Sequence, residues 1–142
     1  MVYYSRSAEE TMKTAADFAR GCPRGSVICL TGGLGAGKTV FAKGFARGLS
    51  LKDGVTSPTF SIVNVYGGEI PLYHFDVYRI KNVSEMEDTG YEEYFYGDGI
   101  CLVEWAELAA EIIPQNAVWV KIEKDPAKGD DYRIININSE EI

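Results

Sequence analysis

The sequence predicts an α/β fold, a three-layer domain whose mixed sheet has parallel core strands and antiparallel hairpins toward one edge. Three observations predict it. Short apolar segments alternate with amphipathic helical segments, as in βαβ units. Residues 100–103, "ICLV", are a continuous apolar run, typical of a central strand buried on both faces. Two pairs of β-rich segments, 59–66 with 72–78 and 117–124 with 132–138, flank turn residues and predict hairpins.

The first half of the chain predicts two helices around one strand. "SAEE" at residues 7–10 is a capping-box pattern, which predicts a helix over residues 8–20. Residues 26–30 are a short apolar run and predict a buried strand. A glycine-rich stretch follows, and then a predicted helix over residues 38–48.

The second half adds two shorter predicted helices. "SEME" at residues 84–87 repeats the capping-box pattern and predicts a short helix. The central strand stops at Glu104, and a helix over residues 106–113 is expected to end at Pro114. With 142 residues, the chain is expected to form a single domain over residues 1–142.

Composition limits the classes of function. The net charge is −7, and there is no run of Lys or Arg, whereas domains that grip nucleic acid directly usually carry a basic face. No apolar run approaches the ~18 residues that a membrane helix needs, and the N-terminus lacks a signal-peptide pattern. Cys22, Cys29 and Cys101 show no C-x-x-C pairing and are expected to be reduced thiols. We therefore expect a cytoplasmic protein with no membrane partner.

Residues 32–39, "GGLGAGKT", fit the motif G-x-x-x-x-G-K-[ST] of a P-loop, and a predicted strand and helix flank them. Glycines let backbone N–H groups point at an anion, and the new helix adds its positive end. Lys38 would reach the β- and γ-phosphates, and Thr39 would offer its hydroxyl to Mg²⁺. A plain glycine turn is the less favoured alternative. The motif predicts a P-loop NTPase-like domain.

Two acidic residues are candidates for completing the Mg²⁺ site. Glu104 follows the predicted central strand, and Asp76 lies in "LYHFDVYR". An acidic residue at a strand end is often only a solvated cap, so both interpretations stay open, with function favoured for Glu104. His74, the only histidine, is interpreted as structural and not as a base.

Two further positions have open interpretations. Thr59 in "TSPTF" would bond Mg²⁺ or phosphate, as sensing residues of P-loop proteins do, or would simply begin a strand. Trp105 would face the nucleotide, face a partner, or pack. The guanine-specific motif [NT]-K-x-D does not occur in the sequence, which favours ATP.

Three hypotheses account for the motifs. The first is a partner-dependent ATPase. The second is a small P-loop kinase of a metabolite or nucleoside, which would need an arginine-bearing lid, and Arg79 is the only arginine inside a motif. The third is a nucleotide-gated adaptor without turnover.

The segments "GGLGAGKTVFAKGFARGL", "VTSPTFSIVNVY", "LYHFDVYRI" and "CLVEWAE", in this order, resemble the bacterial TsaE family, formerly called YjeE. The resemblance covers nearly the whole chain. It implies an ATPase that supports threonylcarbamoyl transfer to the adenosine next to the tRNA anticodon. The partners would be TsaD and TsaB, which would handle the tRNA, and the activity alone would be weak.

The resemblance also implies roles for individual residues. Phosphate binding falls to the loop residues Gly33, Leu34, Gly35, Ala36, Gly37, Lys38 and Thr39. Thr39 and Glu104 would hold Mg²⁺, with Asp76 near the metal or the attacking water. Thr59 would belong to the sensing segment, and Trp105 would neighbour Glu104. Glu107 and the start of the first helix, including Thr11, would border the base or ribose.

Three positions depart from the family's usual pattern. Members often carry Asp in place of Gly33, and many carry Pro in place of Ala106. An Arg commonly follows the last Gly, but here Gly129 precedes Asp130 and Arg133 comes later. An arginine contact from this region to the nucleotide is therefore in doubt.

Overall fold

A computed structural model describes residues 1–33, 35–51, 63–78 and 80–138 of the chain. The strands are β1 (Val2–Ser5), β2 (Val27–Thr31), β3 (Val63–Tyr66), β4 (Leu72–Asp76), β5 (Ile100–Glu104), β6 (Val118–Lys124) and β7 (Arg133–Asn138). The α-helices are α1 (Ala8–Arg20), α2 (Lys38–Gly48), α3 (Ser84–Glu87) and α4 (Tyr91–Phe95). Short 3-10 helices span Ala106–Ile112 and Pro126–Lys128.

The strands form one mixed sheet in the order β1-β7-β6-β2-β5-β4-β3. The pairs β6–β2, β2–β5 and β5–β4 are parallel, which confirms the predicted parallel core. Antiparallel pairs occur at both edges, not at one as expected. The reason is that each hairpin contributes one strand to the parallel core, β4 on one side and β6 on the other. The second strand of each hairpin therefore lies outside it.

Alternating side chains divide the molecule into three layers. Ile28 and Leu30 of β2 pack toward α1 and α2, whereas Val27 and Cys29 pack toward α3, α4 and the 3-10 helix Ala106–Ile112. Both faces of the central strands are thus buried, as their apolar runs predicted.

The first helix begins as its capping box predicts. The Ser7 hydroxyl accepts a hydrogen bond from the Glu10 N–H at 3.1 Å, and the Glu10 carboxylate accepts one from the Arg6 N–H at 2.7 Å. Helix α1 then packs closely on α2, because a Cβ at Gly44 would lie only 2.3 Å from the Met12 carbonyl oxygen. These contacts fix α2 over the sheet.

Two local predictions differ from the structure, and one strand is not predicted by the sequence. Residues 106–112 form a 3-10 helix, not an α-helix, because Ala109 leaves helical geometry (φ −127°). Helix α3 forms as predicted, but its N-cap is Val83 and not the Ser84 of the predicted capping box. The Glu85 carboxylate accepts a hydrogen bond from the Asn82 N–H at 3.3 Å. Strand β1 has three exposed residues followed by a buried one, so it lacks the alternation that would have predicted it.

Across the described ranges, no helix is long and apolar enough to cross a membrane.

Candidate nucleotide-binding site

The glycine-rich loop and the two acidic candidates meet at the carboxyl end of the parallel strands. Strand β2 leads into the loop, β4 ends at Asp76 and β5 ends at Glu104. Asp76 and Glu104 are register partners on adjacent strands, so their side chains leave the same face of the sheet. A cleft of about 420 Å³ is lined here by Gly35, Ala36, Gly37, Lys38, Thr39, Val40, Asp76, Glu104, Trp105 and Arg133.

The loop depends on glycines in a left-handed conformation. Gly32, Gly35 and Gly37 have φ values of 143°, 75° and 108°. A Cβ at Gly32 would lie 2.4 Å from the carbonyl oxygen of Ile122 on β6, so the loop lies directly against the sheet. Such a run of glycines lets backbone N–H groups converge on an anion.

Gly33 differs from these three glycines. Its φ is not in the left-handed range, the residue is exposed, and a Cβ built on it would meet no described atom within 4 Å. The loop therefore has room for a side chain at this position, such as the Asp that the family resemblance leads us to expect here.

Helix α2 presents a positive end to the cleft. It begins at Lys38 after Gly37, no side chain in the described ranges caps it, and its first turn contains no acidic residue. The partial positive charge of the helix terminus is thus left for a ligand.

The Lys38 side chain is buried and folds back onto its own loop. Its Nζ donates to the carbonyl oxygens of Gly32 at 2.5 Å and Gly33 at 3.2 Å. It also lies 3.7 Å from the ring centroid of Trp105, a cation–π contact. Burial lowers the pKa of Lys38, and the negative charges of Glu104, Glu107 and Asp76 oppose that shift. The loop, not a carboxylate, holds this ammonium group.

Glu104 is buried, and its Oε2 lies 2.5 Å from Nε2 of the buried His74. Asp76 is half-buried, and its Oδ1 accepts a hydrogen bond from the Tyr78 N–H at 3.0 Å. Burial raises the pKa of Asp76, and the Glu104 charge adds to the shift, whereas the Tyr78 bond, His74 and Lys38 oppose it. The two carboxylates thus share one site, where the Glu104 charge acts on Asp76.

His74 was interpreted as structural, and the structure places it against the main acidic candidate. A sequence signal was available: His74 precedes Asp76 by two positions on a strand, so both point to the same face. Which residue His74 meets depends on the pairing of β4 with β5, which sequence alone did not supply.

Arg133, the first residue of β7, reaches across the sheet to the loop. Its Nε donates to the Ala36 carbonyl oxygen at 2.7 Å, and its Nη2 to that of Gly35 at 3.4 Å. An arginine from this region therefore lies at the cleft and holds the loop backbone. The sequence puts such an arginine in doubt because Asp130, not Arg, follows Gly129.

Trp105 adopts a left-handed backbone conformation (φ 60°), which is strained for a residue with a large side chain. Its ring contacts both Lys38 and Tyr78, with 4.7 Å between the two aromatic centroids. Trp105 also lines the cleft.

The remaining candidates lie around the cleft or outside the described residues. Thr11 is buried, donates to the Ser5 hydroxyl at 2.7 Å and lines a small adjoining cavity of about 50 Å³ with Gly37 and Arg133. Glu107 is exposed on the 3-10 helix. Leu34 and the "TSPTF" segment with Thr59 lie outside the described residues.

Comparisons with known proteins agree with this geometry. A family model described as "Threonylcarbamoyl adenosine biosynthesis protein TsaE" matches residues 5–134. The tRNA threonylcarbamoyladenosine biosynthesis protein TsaE of Bacillus subtilis is 48% identical over 132 residues, covering 92% of this chain and 80% of the relative. The protein of the same name from Treponema pallidum is 42% identical over 118 residues, covering 83% and 87%.

The fold is also found among solved structures. The crystal structure of Bacillus subtilis YdiB matches with a TM-score of 0.81 and 40% identity, over 99% of this chain and 86% of that chain. The mixed sheet with its parallel core and flanking helices is the P-loop NTPase-like fold of that protein. By sequence and by fold, the chain belongs to the TsaE family.

Proposed function

We propose that this chain binds and hydrolyses ATP with Mg²⁺, and that the reaction supports threonylcarbamoyl transfer to the adenosine next to the tRNA anticodon. One observation carries the proposal: the P-loop lines the same cleft as Asp76 and Glu104, which are register partners on adjacent strands. Its relatives are named tRNA threonylcarbamoyladenosine biosynthesis proteins, which favours this function over a small kinase.

The loop fits a polyphosphate. Its left-handed glycines, the positive end of α2 and the Lys38 ammonium together supply N–H donors and positive charge on one side of the cleft. On binding, Lys38 would exchange the Gly32 and Gly33 carbonyls for phosphate oxygens. This exchange replaces neutral acceptors by charged ones, which form the stronger hydrogen bonds.

The residues of the cleft also fit Mg²⁺. Mg²⁺ prefers oxygen ligands and is typically held by one or two carboxylates together with phosphates and water. Thr39, Glu104 and Asp76 offer a hydroxyl and two carboxylates along the same cleft. In the described part of the chain, no cluster of three or more His, Cys, Asp or Glu forms an all-protein metal cage. A Mg²⁺ site in which the nucleotide phosphates supply further ligands fits this arrangement.

Each residue would have a distinct part in hydrolysis. Thr39 and Glu104 would hold Mg²⁺, which neutralises charge on the phosphates. Asp76, next to Glu104, would lie near the metal or orient the attacking water. Lys38 would stabilise the charge that builds up as the bond from the γ-phosphorus to the bridging oxygen breaks. Water supplies the new oxygen, and ADP leaves with the bridging oxygen. One water proton stays on the released phosphate as HPO₄²⁻, and the other passes to solvent.

We further propose TsaD and TsaB as the partners, with the tRNA handled mainly through them. The net charge of −7 supports this division, because a direct grip on tRNA would call for a basic surface. ATP hydrolysis would reset the partner complex between turnovers. Alone, the chain is expected to turn over slowly.

The test measures phosphate release and modified adenosine in a mixture of the chain, TsaD, TsaB and tRNA. Lys38→Ala should abolish ATP binding, and Glu104→Ala should keep most binding but lower turnover by about 10²–10³-fold. Lys43→Ala removes the same charge from an exposed position of α2 and is the matched control.

Two outcomes would contradict the proposal in different ways. Unchanged turnover in both site variants would refute the assignment of the site. ATP-dependent binding to TsaD and TsaB with phosphate release at background would instead identify a nucleotide-gated adaptor.

A further inference from the structure

We propose that His74 is a positioning residue that fixes the Glu104 carboxylate for Mg²⁺-dependent hydrolysis. The inference rests on the proposed ATPase function. Its basis is the contact between Nε2 of His74 and Oε2 of Glu104, 2.5 Å apart, with side chains only 0% and 4% exposed. Water cannot compete for this bond at such burial, so it holds one defined geometry.

The sheet determines the contact. His74 pairs in register with Leu102, and the next residue pair along the same face is Asp76 with Glu104. His74 therefore reaches Glu104 diagonally between two adjacent parallel strands. Both strands lie in the core of the sheet, flanked by paired strands on each side. The position of the imidazole is thus as rigid as the sheet itself.

The chemistry of the pair defines its effect. An ionised carboxylate only accepts hydrogen bonds, so Nε2 is the protonated nitrogen and donates to Oε2. This bond occupies Oε2 of Glu104 and fixes the rotation of the carboxylate. A ligand in the cleft then meets the other oxygen, Oε1, in one orientation. Fixing a ligating group through an outer partner is a common way of tuning a metal site.

The second ring nitrogen of His74, Nδ1, indicates that packing alone does not account for a histidine at this position. Nδ1 is buried, and no described residue forms a hydrogen bond with it. Leaving a buried polar atom unpaired costs about 1–3 kcal/mol, which an apolar side chain of similar size would avoid. The neighbouring strand residues Leu72 and Phe75 are fully buried and apolar, so packing alone would favour such a side chain. The bond to Glu104 is what the histidine adds.

Three variants at this position separate positioning from packing. His74→Leu fills the space without a donor. His74→Gln places an amide N–H near the position of Nε2, and His74→Asn is polar but too short to reach Glu104. We expect kcat for ATP hydrolysis to fall about 10–100-fold in the Leu and Asn variants, while the KM for ATP changes less than about threefold. The Gln variant should recover most of the loss.

A second measurement does not depend on turnover. Binding of a fluorescent ATP analogue is titrated against Mg²⁺ in each variant. The Mg²⁺ concentration for half-maximal effect should rise about tenfold in the Leu and Asn variants and stay near the original value in the Gln variant. Thermal unfolding of each variant shows whether the fold is retained, and the Asn variant replaces the Leu variant if the latter does not fold.

The possible outcomes distinguish this inference from the proposed function. If the unchanged chain, mixed with TsaD, TsaB and tRNA, releases no more phosphate than Lys38→Ala does, the proposed ATPase is wrong, and the Mg²⁺ titration alone decides the role of His74. Unchanged kcat and Mg²⁺ dependence in the Leu variant would overturn the inference. So would equal losses in all three variants that follow their melting temperatures, because that pattern indicates a purely structural histidine.

Discussion

Replacing Gly32 by alanine should destabilise the protein, whereas replacing the adjacent Gly33 should have almost no effect. Gly32 has φ 143°, and a Cβ there would lie 2.4 Å from the Ile122 carbonyl oxygen and 3.3 Å from the Ala36 Cβ. The backbone strain costs about 1–3 kcal/mol, and moving the loop off β6 adds about 1–2 kcal/mol. We therefore expect Gly32→Ala to lower the free energy of unfolding by about 2–5 kcal/mol.

Gly33→Ala should change the free energy of unfolding by less than about 0.5 kcal/mol, because its φ is ordinary and the added Cβ meets no described atom within 4 Å. Gly33→Asp, which introduces the residue that the family resemblance leads us to expect, should be tolerated equally well. The Gly33 variants are thus matched controls for Gly32→Ala, one residue away in the same loop.

Thermal and denaturant unfolding measure the difference. For a chain of this size, 1 kcal/mol corresponds to about 3–4 °C in the melting temperature, so Gly32→Ala should melt roughly 6–20 °C lower. The same variant should bind ATP more weakly, because the added Cβ moves the loop and its backbone N–H donors away from their position against β6. Equal melting temperatures for Gly32→Ala and Gly33→Ala would refute the reasoning that contact with β6 sets the shape of the loop.

Three further predictions concern the cleft and the core. Arg133→Lys keeps the charge but loses the paired donors to the loop, so ATP affinity should fall about tenfold in a binding titration; unchanged affinity would contradict this role. ATP binding should change the fluorescence of Trp105, because the Lys38 ammonium leaves its ring. The signal should vanish in Trp105→Phe and survive in Trp119→Phe. Burial raises the pKa of the Cys101 thiol to about 12, so a thiol reagent should modify it only after unfolding. Because the unfolded thiol loses its proton first, the free energy of unfolding should fall as pH rises above about 9, and less steeply in Cys101→Ala.

Local patterns were sufficient for much of the fold and for the centre of the site. The capping box of α1 and the motif around Lys38 are short-range signals, and the chain folds there as they predict. The predicted strand ends also indicated that Glu104 and Asp76 lie in one cleft, because the carboxyl ends of parallel strands lie along the same edge of a sheet.

Long-range contacts account for what the sequence did not reveal. Arg133 reaches the Ala36 carbonyl only because the hairpin of β6 and β7 lies beside β2. His74 meets Glu104 only because β4 pairs in parallel with β5. Neither pairing leaves a periodic signal near the residue concerned. The 3-10 geometry of residues 106–112 likewise depends on one backbone break, at Ala109, in a segment of good helix formers.

The bond from Arg133 to the Ala36 carbonyl has a consequence for how the loop acquires its shape. In a trans peptide the C=O and the following N–H point in opposite directions, so anchoring the Ala36 oxygen also aims the Gly37 N–H. The aim is therefore set when the terminal hairpin closes on the sheet, before any anion arrives. The entropic cost of ordering the loop therefore falls on folding and not on ligand binding. A shortened chain that keeps the eight residues of the P-loop motif but lacks β7 would still match the motif, but its loop would not be held in the phosphate-binding conformation.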